Sequence, residues 1–170
     1  MYNTRDKPGQ VTSVPFDLFT NAATGIRRIV ISGQKGLIEL PETLFADVVD
    51  LTILILSNNG LTNRGVVNTM FQRLFGLQIF DMSMNQFTTF DSLWVNPFPT
   101  GNGWAYSLTH FYLQGNPISK IEPGAFDNFS PNSCQLEVML LHDTDEITVP
   151  MEFFDMCMDT LITYTLSPRA

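Results

Sequence analysis

Two histidines, His110 and His142, are all that the chain offers for imidazole chemistry. Asp81, Ser83 and His110 have the residue types of a nucleophilic triad, in which a carboxylate orients the imidazole that activates a serine. Such a triad also needs an oxyanion hole and a pocket that excludes water. Asp143-Thr144-Asp145-Glu146 gathers carboxylates, the hard oxygen ligands of calcium, but lacks the length and the glycine of a calcium loop. Gly101-Asn102-Gly103 has the glycines of a phosphate cradle with no lysine and no strand-to-helix junction beside it. Cys134 and Cys157 are too few for a disulfide scaffold and lack zinc-ligand spacing. Asn128-Phe129-Ser130 is a glycosylation sequon, weakened by Pro131 and meaningful only in a secreted chain. These patterns specify no catalytic or metal centre, so the chain is expected to be no enzyme and to carry no cofactor.

The elements that must position any site come from 170 residues, 44% hydrophobic and 15% charged. That is one domain's worth of chain with enough apolar surface for a core. The longest apolar stretch, Val48 to Leu56, is interrupted by Asp50 and Thr52, so no membrane insertion is expected. The opening residues 1–7 are polar and charged with no apolar run behind them, which reads as no secretory signal. A net charge of −8 argues against nucleic acid, whose phosphates call for a basic face. The charge is uneven: residues 1–120 carry 8 acidic and 8 basic side chains, residues 121–170 carry 9 acidic against Arg169 alone.

Self-similarity runs the length of the sequence. Leu51, Leu54, Leu56, Asn59 and Leu61 fit L-x-x-L-x-L-x-x-N-x-L at every fixed position. Leu77, Phe80, Met82, Asn85 and Phe87 repeat the spacing, as do Leu108, Phe111, Leu113, Asn116 and Ile118. Weaker copies start at Ile26, Leu136 and Leu161, giving intervals of 25, 26, 31, 28 and 25 residues. Thirteen or fourteen positions after a start comes an apolar pair five apart: Leu40/Phe45, Phe90/Val95, Ile121/Phe126 and Val149/Phe154, with Val14/Phe19 in the same series. The repeat at Leu51 breaks that column, putting Arg64 and Thr69 there.

These residues resemble the leucine-rich repeat family from Val11 onward. Leu40-Pro41 with Phe45 and Val149-Pro150 with Phe154 look most like the typical L-P-x-x-x-F subtype of cell-surface receptors. The resemblance implies an α/β fold: a solenoid with a parallel sheet on the concave side and helix, 3-10 helix or loop on the convex side. It also implies an extracellular or cell-surface location, with a cytoplasmic one left open. Residues 1–25 read as a partial N-terminal repeat and 26–170 as about six coils, truncated at the C-terminal end.

The spacing has its own physical sense. Within each L-x-x-L-x-L a short strand buries its second and third apolar residues on one side, and the first turns in at the strand's start. One strand cannot bury that side alone, whereas stacked strands share a continuous core. The column Asn fits a turn in which its amide bonds the backbone of the neighbouring coil. Residues 65–75 have apolar side chains at helical spacing before Gly76 and predict a convex helix, and 151–159 read similarly. Pro123 to Phe126 predicts a short helical turn. The loop holding Trp94 and Trp104 either covers a wider coil or anchors a partner. Cys134 and Cys157 fall in adjacent coils, where free buried thiols are expected over a disulfide.

On this register the residues between the leucines face outward, with Ile53, Ile55 and Ile79 on one side and Tyr112, Val138 and Leu140 on the other. Exposed apolar residues concentrated on one sheet face mark an interaction site. The expected function is recognition of a protein or peptide partner, flanking repeats of a parent protein being further contacts. Arg28, Ile53, Ile55, Ile79, Asp81, His110, Tyr112, Val138 and Leu140 are the residues expected to carry it. A scaffold with no specific ligand and a targeting domain of a multidomain enzyme such as a receptor kinase are the alternatives.

Overall fold

Three residues per coil suffice for a strand in this chain. The computed structural model describes residues 9–21, 25–71, 73–90, 107–123, 125, 134–141, 157 and 163–165. Strands β1 (Arg28–Val30), β2 (Ile53–Ile55), β3 (Ile79–Asp81), β5 (His110–Tyr112), β7 (Val138–Leu140) and β8 (Thr163–Thr165) form one parallel sheet in that order. Ile29, Leu54, Phe80, Phe111 and Met139 lie side by side in register and are buried. Their neighbours project to the other face, the alternation that a two-residue period imposes.

The three-residue gap that opens each L-x-x-L has a backbone cause. Thr52 N and Ile53 N both donate to Arg27 O, and Gln78 with Ile79 do the same to Thr52 O. Thr109 with His110 and Glu137 with Val138 repeat it on Gln78 O and Thr109 O. One carbonyl holding two successive N–H groups bends the chain there and turns Leu51, Leu77, Leu108 and Leu136 into the core.

After β1, β2, β3 and β5 the chain must reverse, and one position takes a left-handed backbone in each of these four coils. Gly33, Asn58, Met84 and Gly115, each seven residues after a repeat start, have φ of 79°, 59°, 57° and 70°. Glycine adopts this conformation freely and asparagine tolerates it, but methionine does not. Met84→Asn is therefore expected to raise stability by about 0.5–1 kcal/mol in urea unfolding.

The next position holds the asparagine column, fully buried at Asn59, Asn85 and Asn116. Asn85 Nδ2 donates to Leu56 O, Met82 O and Ser83 O, and its Oδ1 accepts from Asn59 N and Leu61 N. Asn116 spans its own coil and the previous one through Leu113 O and Met82 O. At the β1 end Gln34 stands in the column: its N donates to Asn59 Oδ1 and its longer side chain reaches Val11 N.

The described return segments after β1 and β2 are built of tight turns. Among the described residues of 65–75, Asn68–Phe71 forms a short 3-10 helix, so the convex helix expected there is reduced to one tight turn. Met70 N, Leu74 N and Leu77 N each donate three residues back, to Val67 O, Phe71 O and Leu74 O. Leu44, Ala46, Val48 and Leu51 do likewise in the coil before. Tight i to i−3 bonds let the chain climb to the next strand while Val66, Met70, Phe71 and Leu74 all point inward, and those inward residues produced the helix-like spacing. Ala125 N bonds Glu122 O in the turn expected after Pro123.

The apolar column does not break at Leu51 either. Val66 and Phe71, again five apart, take the places expected of Arg64 and Thr69 and are buried, so two extra residues merely delay the pair. Phe71 thereby joins a stack of rings, 6.0 Å from Phe45 and 5.0 Å from Phe80, which continues to Phe19 and Phe111. Across the coil a second small sheet pairs β4 (Thr89–Phe90) with β6 (Lys120–Ile121). Asn63, one of the two added residues, caps that sheet: its Oδ1 accepts from Thr88 N and Thr89 N, and its Nδ2 donates to Thr89 O.

Cys134 and Cys157 form a disulfide, with Cα atoms 5.6 Å apart, which corrects the expectation of free thiols. They precede the repeat starts Leu136 and Leu161 by two and four residues, unequal offsets that the sulfur bridge nevertheless joins. Closing a loop of 23 residues is expected to contribute about 3 kcal/mol, read as a drop in melting temperature when the protein is reduced.

Candidate functional site

Because every strand pairs in register, the outward side chains fall into straight rows. Arg28, Ile53, Ile79, His110 and Val138 make one row, and Val30, Ile55, Asp81, Tyr112 and Leu140 the other. All nine residues expected to bind a partner therefore stand on one open face. Arg28 is exposed, and the other eight are half-buried, sheltered by their neighbours in the row. Val30, 51% exposed, belongs to the same face.

The polar groups at the centre are already organised. Asp81 Oδ1 accepts from Ser83 N at 2.9 Å and Ser83 Oγ at 2.6 Å, closing a turn at the end of β3. The serine hydroxyl is thus spent on the carboxylate. His110 sits opposite Ile79 in register, leaving Asp81 on the diagonal, and its Nδ1 lies 2.9 Å from Thr109 Oγ1. In a working triad the serine would bond the imidazole. Tyr112 stands opposite Asp81, its ring 6.1 Å from that of His110.

Burial, and after it the negative charge of Asp81, raise the Tyr112 phenol above its usual 10.0. Both causes disfavour the phenolate, so the phenol remains a hydrogen-bond donor at neutral pH. The sign for stability follows: the contribution is present below pH 10 and is lost as pH rises through the higher folded value. In absorbance titration of the four tyrosines, Asp81→Asn is expected to bring one titration part of the way back down.

A feature the sequence reading missed adjoins β1. A cleft of about 280 Å³ opens between residues 11–18 and the first coil, walled by Val11, Val14, Leu18, Val30 and Ile31 with Ser13, Ser32 and Gln34 beside them. The signal was the apolar run through Val14, Phe16, Leu18 and Phe19, of which Phe16 is 70% exposed. Among the described residues no group of three metal-ligating side chains converges. No helix among them is long and apolar enough to cross a membrane. His142, the acidic run 143–146, the sequon, the tryptophan loop, Gly101–Gly103 and the segment 151–159 apart from Cys157 lie outside the described residues.

Stacked three-residue strands, a buried asparagine ladder and an outward face of register-paired rows define a leucine-rich repeat solenoid. The family described as Leucine Rich Repeat matches residues 107–129, the coil of β5 and β6. Among solved structures, a chain titled as a TLR13–ssRNA13 complex superposes with a TM-score of 0.71 at 17% identity. The match covers 92% of this chain and 20% of that one, so the chain spans about a fifth of that structure's length. No curated protein matches the sequence. The chain has the fold of leucine-rich repeat proteins, and one of its coils matches that family's model.

Proposed function

We propose that the chain is a recognition module that holds a protein or peptide partner on the open face of its sheet. The observation that carries this is that Ile53, Ile55 and Ile79 share two register-paired rows with Tyr112, Val138 and Leu140, linked through His110 in one row and Asp81 in the other. Ordinary β-propensity explains branched residues in strands, but it does not call for them on the outward side in neighbouring strands. Arg28, Asp81, His110 and Tyr112 add the polar contacts that fix orientation. The serine of the Asp81, Ser83 and His110 set bonds the carboxylate rather than the imidazole, so binding fits the face better than catalysis.

The Cys134–Cys157 bond supports an extracellular or cell-surface setting, because disulfides persist in oxidising compartments. The neighbouring solved structure is titled as an RNA complex. Among the described residues the face carries cations only at Arg27 and Arg28, and the chain is net −8, which favours a peptide over RNA.

Panning a displayed peptide library against the full chain tests the proposal. Enriched sequences are expected to bind the wild type and to lose binding to Ile79→Glu and to Tyr112→Ala. Sequences that bind all three proteins equally, or a panning round that enriches nothing, would return the chain to a passive scaffold. A single-stranded RNA oligonucleotide that binds with steep salt dependence would replace the peptide reading.

A further inference from the structure

The outward side chains are sorted by charge along the stack. Arg27 and Arg28 stand exposed at β1, aliphatic side chains follow, and among the described residues carboxylates enter the face only at Asp81 and Glu137. None of Arg27, Arg28 and Glu137 is engaged in an ion pair; among the described residues the salt bridge is Lys120–Glu122, away from this face. Exposed charges left unpaired at opposite ends of an apolar track are free to select a ligand by its own charge order.

Resting on the recognition reading above, we propose that the partner is an extended peptide lying across the strands. It is acidic where it meets Arg27 and Arg28, aliphatic over Ile53, Ile55 and Ile79, and basic where it reaches Glu137. From β1 to β7 is four strand steps in the sheet order, about 19 Å at 4.8 Å each, a span covered by about six extended residues. An extended backbone also presents unpaired carbonyl and N–H groups. His110 and Tyr112, midway along the track and half-buried, can bond them, while Asp81 rejects an acidic residue at that point. An RNA strand would need positive charge along its whole course, and here it is confined to one end.

Three labelled octapeptides of one composition test this by fluorescence anisotropy against the full chain. The first has two acidic, four aliphatic and two basic residues in that order, the second is its reversal, and the third is a scramble. One of the two ordered peptides is expected to bind about tenfold tighter than the scramble, the combined effect of several exposed charge pairs. The Arg27→Glu, Arg28→Glu double variant is expected to lose that preference and to favour a peptide basic at both ends. Equal binding of ordered and scrambled peptides, still abolished by Tyr112→Ala, would overturn the charge order and leave recognition standing. If no octapeptide binds while panning yields a Tyr112-dependent ligand, the peptide assigned here is wrong and recognition again stands. If neither approach yields a ligand, both fall.

Discussion

Asn85→Ala is expected to remove about 3–5 kcal/mol of folding stability, because each buried partner left unsatisfied costs about 1–3 kcal/mol. The substitution orphans two N–H groups, on Asn59 and Leu61, and takes donors from three carbonyls, on Leu56, Met82 and Ser83. Leu56 and Asn59 belong to the preceding coil, so the loss falls on the junction between coils as well as on one turn. Asn85→Asp keeps the acceptor but removes the donors and buries a charge among carbonyls, and it should be at least as damaging. Gln34→Ala, at the half-buried end of the same column, is expected to cost much less. Urea unfolding of the three variants checks the order, and equal midpoints for Gln34→Ala and Asn85→Ala would show that the ladder carries no special weight.

Phe80→Ala should be comparably severe, about 3–5 kcal/mol for a fully buried ring. Phe80 joins the two halves of the aromatic stack, packing 5.0 Å from Phe71 on the return side and 5.6 Å from Phe111 in the next strand. Its neighbour Ile79 provides the control. Ile79 points outward and is half-buried, so Ile79→Ala is expected to cost about 1 kcal/mol or less. Adjacent residues with opposite sensitivities would establish the register directly by thermal unfolding. Similar losses at both would contradict it.

The strand slots were legible in the sequence because burial acts on them at fixed spacing. Leu54, Phe80, Phe111 and Met139 each occupy the second apolar position of their repeat and each is buried. The asparagine column was legible for the same reason, since only an amide at that point can serve both its own turn and the next coil. The return side was not. Spacing arguments assume a constant path length, and the two residues added before Val66 shift its apolar pair out of phase without changing its job. Asn63 escaped notice because a side chain that caps a sheet needs no repeat partner to signal it. The pairing of Cys134 with Cys157 depends on where the return path ends, which offsets of two and four residues do not reveal. Which side chains leave the core follows from alternation alone, so the outward positions could be listed from the register. The cleft beside β1 was not, because it is made by residues 11–18, which belong to no complete repeat pattern.

In-register pairing separates two kinds of position that most folds entangle. A change at Ile53, Ile79 or Val138 alters what the surface shows to a visitor while leaving Leu54, Phe80 and Met139, which lie behind the sheet, untouched. The outward surface can therefore change one rung at a time under a constant architecture. For an engineer, the two outward rows form a grid of interchangeable tiles in which a new ligand is sought by randomising tiles and never the frame.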